Sequence, residues 1–357
     1  MFIHLLGGFL GSGKTTAIQQ AIQLLRQRGQ NVGVITNDQG TQLVDTHFLN
    51  GEHIPVTEVV GSCFCCNYPA FENHILQMEE QEKPKVLFAE SVGSCTDLVA
   101  TIMRPLQRFH PAKKVVLSVF ADAEAFPILV QGSSLFKDSV NYIYKQQLEE
   151  ADILVLSKSD RLSAYQREKV EEVLATHYPD KLVLFQNSYN GTHIEHWLHT
   201  AAGVPQTWRR ALQLDYERYG IGEAELGWLN QRLRIQSKMQ QAAQVTVQLI
   251  NALYRSVQDA GLPIGHLKFL YHDGNQQQKI SFTAGSVKPA EPISLPNSQL
   301  KEVELLINAR VQTGPEHLQQ LVSEVVARAE QKANCSVEVL NQEAFIPGFP
   351  KPSYRMA

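Results

Sequence analysis

Eight residues near the start of the chain, Gly8-Phe9-Leu10-Gly11-Ser12-Gly13-Lys14-Thr15, spell G-x-x-x-x-G-K-[ST]. Glycines at Gly8, Gly11 and Gly13 let backbone N–H groups curl around phosphate oxygens. The helix that opens at Lys14 adds the positive end of its dipole. Lys14 reaches the β and γ oxygens in such a loop, and Thr15 ligates Mg²⁺. Ser12 and Thr16 complete the expected nucleotide contacts. The pattern carries its required context, a strand before it and a helix after it.

Two further segments belong with a nucleotide site. Glu90 ends the apolar run KVLFAE, where an acid that helps to hold Mg²⁺ belongs, and Gly93 follows three residues later. A glycine there can turn its N–H toward a γ-phosphate and act as a switch. Lys158 and Asp160 stand as K-x-D after the run DILVLS. The lysine stem can cover a base, and the aspartate can accept from the two donors of guanine. Lys14 and Thr15 together argue against a mere storage or redox-sensing module, and K-x-D argues against a small-molecule kinase.

Cys63, Cys65 and Cys66 form C-x-C-C after Gly61-Ser62. Three thiols so close cannot make a comfortable disulfide set, but their thiolates can converge on one soft cation. A structural zinc knuckle needs a second ligand pair, and the chain has no second C-x-x-C. Cys95 joins the same ion only if the segment after Glu90 folds over the cluster; a lone cysteine is otherwise core. His193, His196 and His199 lie at helical spacing, where a solvated face competes with metal binding.

The elements that must position these residues follow a strand–helix rhythm. Apolar runs at 2–6, 31–36, 85–90, 114–120, 152–157 and 182–187 read as buried parallel strands, with amphipathic helices between them. This rhythm predicts an α/β P-loop sheet with helices on both faces. After residue 203 the pattern changes to β-α-β-β-β-α-β, close to a smaller ferredoxin-like α+β domain with one added strand. The expected domains are therefore 1–203 and 204–357, the second ending in a Pro-rich tail lying extended on a surface.

Composition narrows the function classes. With 357 residues there is room for two domains. Lys and Arg number 32 against 36 Asp and Glu, a net charge of −4 that gives no pull toward nucleic acid. No apolar run approaches the ~18 residues of a membrane span. The N-terminus lacks the basic start of a signal peptide. Five cysteines, an odd number, suit a cytoplasmic thiol site rather than a disulfide framework.

Phosphate loop, C-x-C-C, E-x-x-G and K-x-D, in this order, resemble the CobW-type GTPases, relatives of the GTPases that mature urease and nickel hydrogenase. The resemblance covers about residues 1–200. It implies that Asn37-Asp38-Gln39-Gly40 is a switch, with Asp38 and Asp45 positioning Mg²⁺ and the attacking water. Asp122 and Gln147 match family positions, and Ser188-Tyr189 resembles the loop that completes a guanine pocket. Ser157 stands where the family has asparagine, so the tie from that position to base and phosphate loop is expected to be weaker. Asp38 replaces a glutamate, and Ser91 a threonine.

The implied activity is hydrolysis of GTP to GDP by a metallochaperone that carries a transition metal, with Zn²⁺ favoured by thiolates, to a metalloprotein client. The alternative is a GTP-dependent maturation factor that installs a metal or corrinoid cofactor in one dedicated enzyme. Neither reading requires nucleic acid or a membrane, and both leave room for a nucleotide-dependent homodimer.

Overall fold

The computed structural model describes the chain except for residues 38, 41–43, 46–54, 60, 62, 133, 134, 285–292, 294, 296–298, 334 and 357. It divides into two compact units. The first holds residues 1–39, 53–222 and 349–357, and the second holds 40–52 and 223–348. The division at 222 thus lies beyond the expected 203/204 boundary, and the C-terminal tail packs with the first unit.

The first unit is built on a seven-stranded sheet. Its strands are β1 (Phe2–Gly8), β2 (Val32–Asn37), β3 (Val56–Val59), β4 (Val86–Glu90), β5 (Lys114–Asp122), β6 (Ile153–Ser157) and β7 (Leu182–Gln186). All neighbours pair parallel, in the order β3-β2-β4-β1-β5-β6-β7. Strands buried on both faces read as continuous apolar runs, and β2 and β6 are buried along their whole length. Helices α1 (Lys14–Gln27), α2 (Tyr68–Gln81), α3 (Arg104–Phe109), α4 (Phe126–Val130), α5 (Asp138–Glu150), α6 (Ala164–His177), α7 (Gly191–Gly203) and α8 (Tyr216–Ala224) connect them. Strand β3 was not expected: it is four residues long, half-buried and carries Thr57 and Glu58, so it offers no apolar run.

The order places β1 between β4 and β5. The carboxyl ends of β1, β4 and β6, which carry the phosphate loop, Glu90 and Ser157, therefore open on one edge of the sheet. In parallel α/β sheets ligands bind at that edge.

The second unit contains β8 (Gly227–Ser237), α9 (Ala242–Asp259), β9 (Ile264–His272), β10 (Gln277–Thr283), β11 (Glu302–Val311), α10 (Pro315–Ala333) and β12 (Cys335–Phe345). Its antiparallel sheet runs β10-β9-β11-β8-β12. Without β10 this is the ferredoxin-like order, with β10 as the added edge strand, as expected. Leu229, Leu233, Leu249, Leu253, Phe269 and Ile307 belong to its buried core. Alternate residues of the same strands carry a polar ladder: Arg232 pairs with Glu304 at 2.5 Å, and Arg234 with Glu338 at 3.0 Å.

One buried carboxylate makes the first unit sensitive to pH. Glu150 accepts Val99 N–H at 2.9 Å and the Thr96 hydroxyl at 3.1 Å. Burial nevertheless pushes its acid up to about 7, from 4.5. The folded chain then binds more protons than the unfolded chain between these values, so stability falls as pH rises through that window. Glu150→Gln should flatten the dependence of Tm on pH between about 5 and 8. Thermal melts across that range check it; an unchanged slope would contradict it.

Candidate functional site

The phosphate loop begins where β1 meets its neighbours. Gly8 has φ +121°, and a Cβ there would stand 2.1 Å from the Phe120 carbonyl oxygen. Any side chain would push β1 and β5 apart, so the first glycine of the motif is a packing requirement as well as a turn. The Lys14 ammonium curls back onto the loop and donates to Gly8 O at 2.6 Å and Phe9 O at 3.3 Å. The buried Ser12 hydroxyl has no partner among the described residues. A donor and acceptor left so in the glycine-rich turn between β1 and α1 fits a phosphate.

Thr15 and Glu90, distant in sequence, meet here. The Thr15 hydroxyl donates to Glu90 Oε1 at 2.9 Å, and both side chains are buried. Register brings Glu90 beside Leu6 of β1. A hydroxyl and a carboxylate converging beside a phosphate loop are a donor set of hard oxygens that suits Mg²⁺.

Gly93 lies against the same loop. A Cβ there would come within 2.7 Å of Leu10 Cδ2 and 3.0 Å of Leu10 N. Gln147 Nε2 donates to Gly93 O at 2.9 Å and to Cys95 O at 2.8 Å, which pins the turn after β4. Gln147 matched the family by position; its work as a clamp is a long-range contact invisible in the sequence.

The K-x-D segment after β6 departs from expectation in one respect. Ser157 donates to Ser12 O at 2.6 Å, with Ala121 O at 3.2 Å as a weaker second acceptor. The tie from β6 to the phosphate loop is therefore kept by a hydroxyl in place of an asparagine amide. Lys158 adopts the left-handed conformation, φ 57°, and ion-pairs with Asp122 at 2.5 Å. That pair fixes the direction of the lysine stem. Asp160 is exposed in the short turn Ser159–Arg161. Ser188 is buried, taking an amide hydrogen bond from Gln186 at 3.2 Å, while Tyr189 is exposed.

Cys63, Cys65 and Cys66 present sulfurs all within 4.8 Å of one another, and no other group of this kind occurs among the described residues. The Asn37 side chain, at the end of β2, accepts Phe64 N–H at 2.8 Å and donates to Val59 O at 2.9 Å. Phe64 stacks on Phe71 at 4.2 Å, seating the loop on α2. The tail adds contacts that sequence reading missed. Lys351 N–H points at Cys66 Sγ at 3.3 Å, and Ser353 N–H and hydroxyl donate to Cys65 O and Cys66 O at 2.8 and 2.9 Å. Arg355 anchors the tail on Asp97 at 2.7 Å.

Hydrogen bonds among the sulfurs divide their acidities. Thiols of Cys65, Cys66 and Cys95 favour the thiolate of Cys63 and hold its acidity constant well below the usual value. Cys65, tied to that sulfur and buried, is pushed up. Cys66 is pushed up to about 11 for the same first reason, its bond to Cys63.

Asp38 lies outside the described residues. Asp45 belongs to the second unit, where Lys268 and, at 2.6 Å, Lys279 grip its carboxylate. Val44 N–H beside it donates to Asn308 Oδ1 at 2.8 Å. With both oxygens engaged by lysines, Asp45 anchors its own segment in this structure. His193 uses Nδ1 to accept Asn187 N–H at 3.0 Å, a loop clip.

Strand, phosphate loop, helix, and an acid on the adjacent strand define a P-loop nucleotide-binding protein. Residues 2–185 match the family described as the CobW/HypB/UreG nucleotide-binding domain, and the chain belongs to that family. It is 30% identical over 163 residues to a zinc chaperone, YeiR, of Escherichia coli K12, covering 44% of this chain and 46% of that one. It is 28% identical over 182 residues to a zinc chaperone, CobW, of a Sinorhizobium species, covering 44% of this chain and 50% of that one. The chain thus spans about half the length of the curated relatives it matches. Among solved structures it is similar to HypB of Helicobacter pylori in complex with nickel, at 16% identity and TM-score 0.44, covering 59% of this chain and 91% of that one. Among the described residues no helix is long and apolar enough to cross a membrane.

The divided thiol acidities give a first prediction for this site. Cys65 and Cys66 hold their protons at neutral pH and must release them to ligate a metal, so affinity should rise with pH. Zinc titrations by calorimetry, in buffers of different ionisation enthalpy, should show an apparent enthalpy that tracks the buffer. A buffer-independent enthalpy would mean that no proton leaves.

Proposed function

We propose that the chain is a GTP-hydrolysing metallochaperone, which binds zinc as cargo on Cys63, Cys65 and Cys66 and passes it to a client metalloprotein. The observation that carries this reading is the hydrogen bond from Phe64 N–H, inside C-x-C-C, to Asn37 at the end of β2. It joins the thiol loop to the strand that leads into the switch segment. The printed names of the YeiR and CobW relatives support zinc as the ion, and so does the softness of three thiolates.

In this reading Lys14 neutralises charge that develops on the β and γ oxygens, and the loop from Gly8 to Thr16, with Gly11, Ser12 and Gly13, wraps the phosphates. Thr15 and Glu90 would hold Mg²⁺, which supplies charge stabilisation when bound. The N–H of Gly93 senses the γ-phosphate. Lys158 covers the base, Asp160 accepts from guanine, and Ser188 with Tyr189 closes the pocket. Asp38 orients the attacking water. None of the five cysteines forms a disulfide, and a thiol cargo site needs a reducing compartment such as the cytoplasm.

Two substitutions separate the two halves of the reading. Lys14→Ala should lower the rate of GTP hydrolysis by at least ~10²-fold and leave zinc bound. Cys65→Ser should weaken zinc binding and leave the affinity for Mg·GTP within about twofold of the native value, a difference of less than ~0.5 kcal/mol. Phosphate-release kinetics and a chelator competition measure both. Hydrolysis by Lys14→Ala at the native rate would remove the phosphate-loop role. Undiminished zinc affinity in Cys65→Ser would remove the thiol loop as the cargo site.

A further inference from the structure

Cys95 is 1% exposed and lies two residues beyond Gly93. A buried cysteine is ordinarily packed among hydrocarbon. This one exchanges side-chain hydrogen bonds with the sulfurs of both Cys63 and Cys65. Sulfurs from two separate segments therefore approach one another here, Cys95 beside Cys63 and Cys65 of the three-cysteine group. The backbone around Cys95 is tightly held. Ser91 N–H donates to Leu6 O at 3.0 Å, and Cys95 N–H to Val92 O at 3.0 Å. The two Gln147 hydrogen bonds, to Gly93 O and Cys95 O, fasten the rest of the turn.

Three thiolates leave one position of a tetrahedral ion open, and a fourth closes it. We propose that Cys95 is the fourth thiolate of the metal site, so that three ligands come from the loop after β3 and the fourth from the turn after β4. The proposal rests on the metal-carrying reading above and deepens it. The turn begins at Glu90, which holds Thr15 of the phosphate loop, and passes Gly93, which lies against Leu10 of that loop. Cys95 is therefore the one sulfur carried by the segment that faces the phosphate site. A shift of that turn withdraws a single ligand. It converts a closed four-sulfur site into an open one in which a client's ligand can take the fourth position, so the ion need never be released to water.

The test counts sulfurs. X-ray absorption on the zinc-loaded native protein should give four sulfur neighbours at about 2.3 Å. Cys95→Ser should give three sulfurs with one lighter neighbour, and zinc affinity weaker by at least about tenfold. With Co²⁺ in place of zinc, thiolate-to-metal charge-transfer absorption should fall by roughly a quarter in Cys95→Ser, in proportion to the thiolates lost. Cys335→Ser, a cysteine of the second unit, should leave it unchanged. Three sulfurs in the native protein, or native-like cobalt spectra in Cys95→Ser, would overturn the proposal while leaving the three-cysteine cargo site standing. A native protein that takes up neither ion would overturn both.

Discussion

The side chain of Asn37 is the contact on which the site depends. It ends β2, accepts the amide of Phe64 and donates to the carbonyl at the end of β3. A buried amide that satisfies two backbone groups at once is costly to displace, because each group would be left without its partner in a dry place. The thiol loop is therefore held to the sheet on the side of the switch segment. On the other side Cys95 brings the turn after β4 to the same sulfurs. Both strand ends at the phosphate site are thus tied to the cysteines by hydrogen bonds.

The same economy appears around the phosphate loop. Ser157 replaces a longer amide and still reaches Ser12 O. Gln147 spans two carbonyls of the turn that carries Gly93 and Cys95. Asp122 directs Lys158. In each case a polar side chain on one element satisfies backbone or charge on another.

Much of this was legible in the sequence because it is local. The phosphate loop, the strand runs of the parallel sheet and the β-α-β-β-β-α-β order of the second unit all rest on patterns within a few dozen residues. The rest depends on partners far apart in the chain. Nothing near Asp45 in the chain announces that Lys268 and Lys279 will hold its carboxylate. Nothing in the Pro-rich tail announces that Lys351 and Ser353 will lie on the thiol loop. Strand β3 is too short and too polar to show a period, and the division between units is displaced because residues 204–222 and the tail complete the first core rather than the second.

In the proposed function, nucleotide state and metal affinity are one equilibrium seen from two ends, and linkage gives it a strict form. If the γ-phosphate moves the sulfurs, the ratio of zinc affinities with a non-hydrolysable GTP analogue and with GDP must equal the ratio by which zinc changes preference between those nucleotides. Chelator competition and nucleotide displacement on the same sample, with Mg²⁺ present throughout, measure both ratios. Two equal factors of at least ~fivefold are expected. Zinc affinities that are the same with either nucleotide would contradict this, and would leave a nucleotide site and a thiol site that share a sheet without sharing a switch.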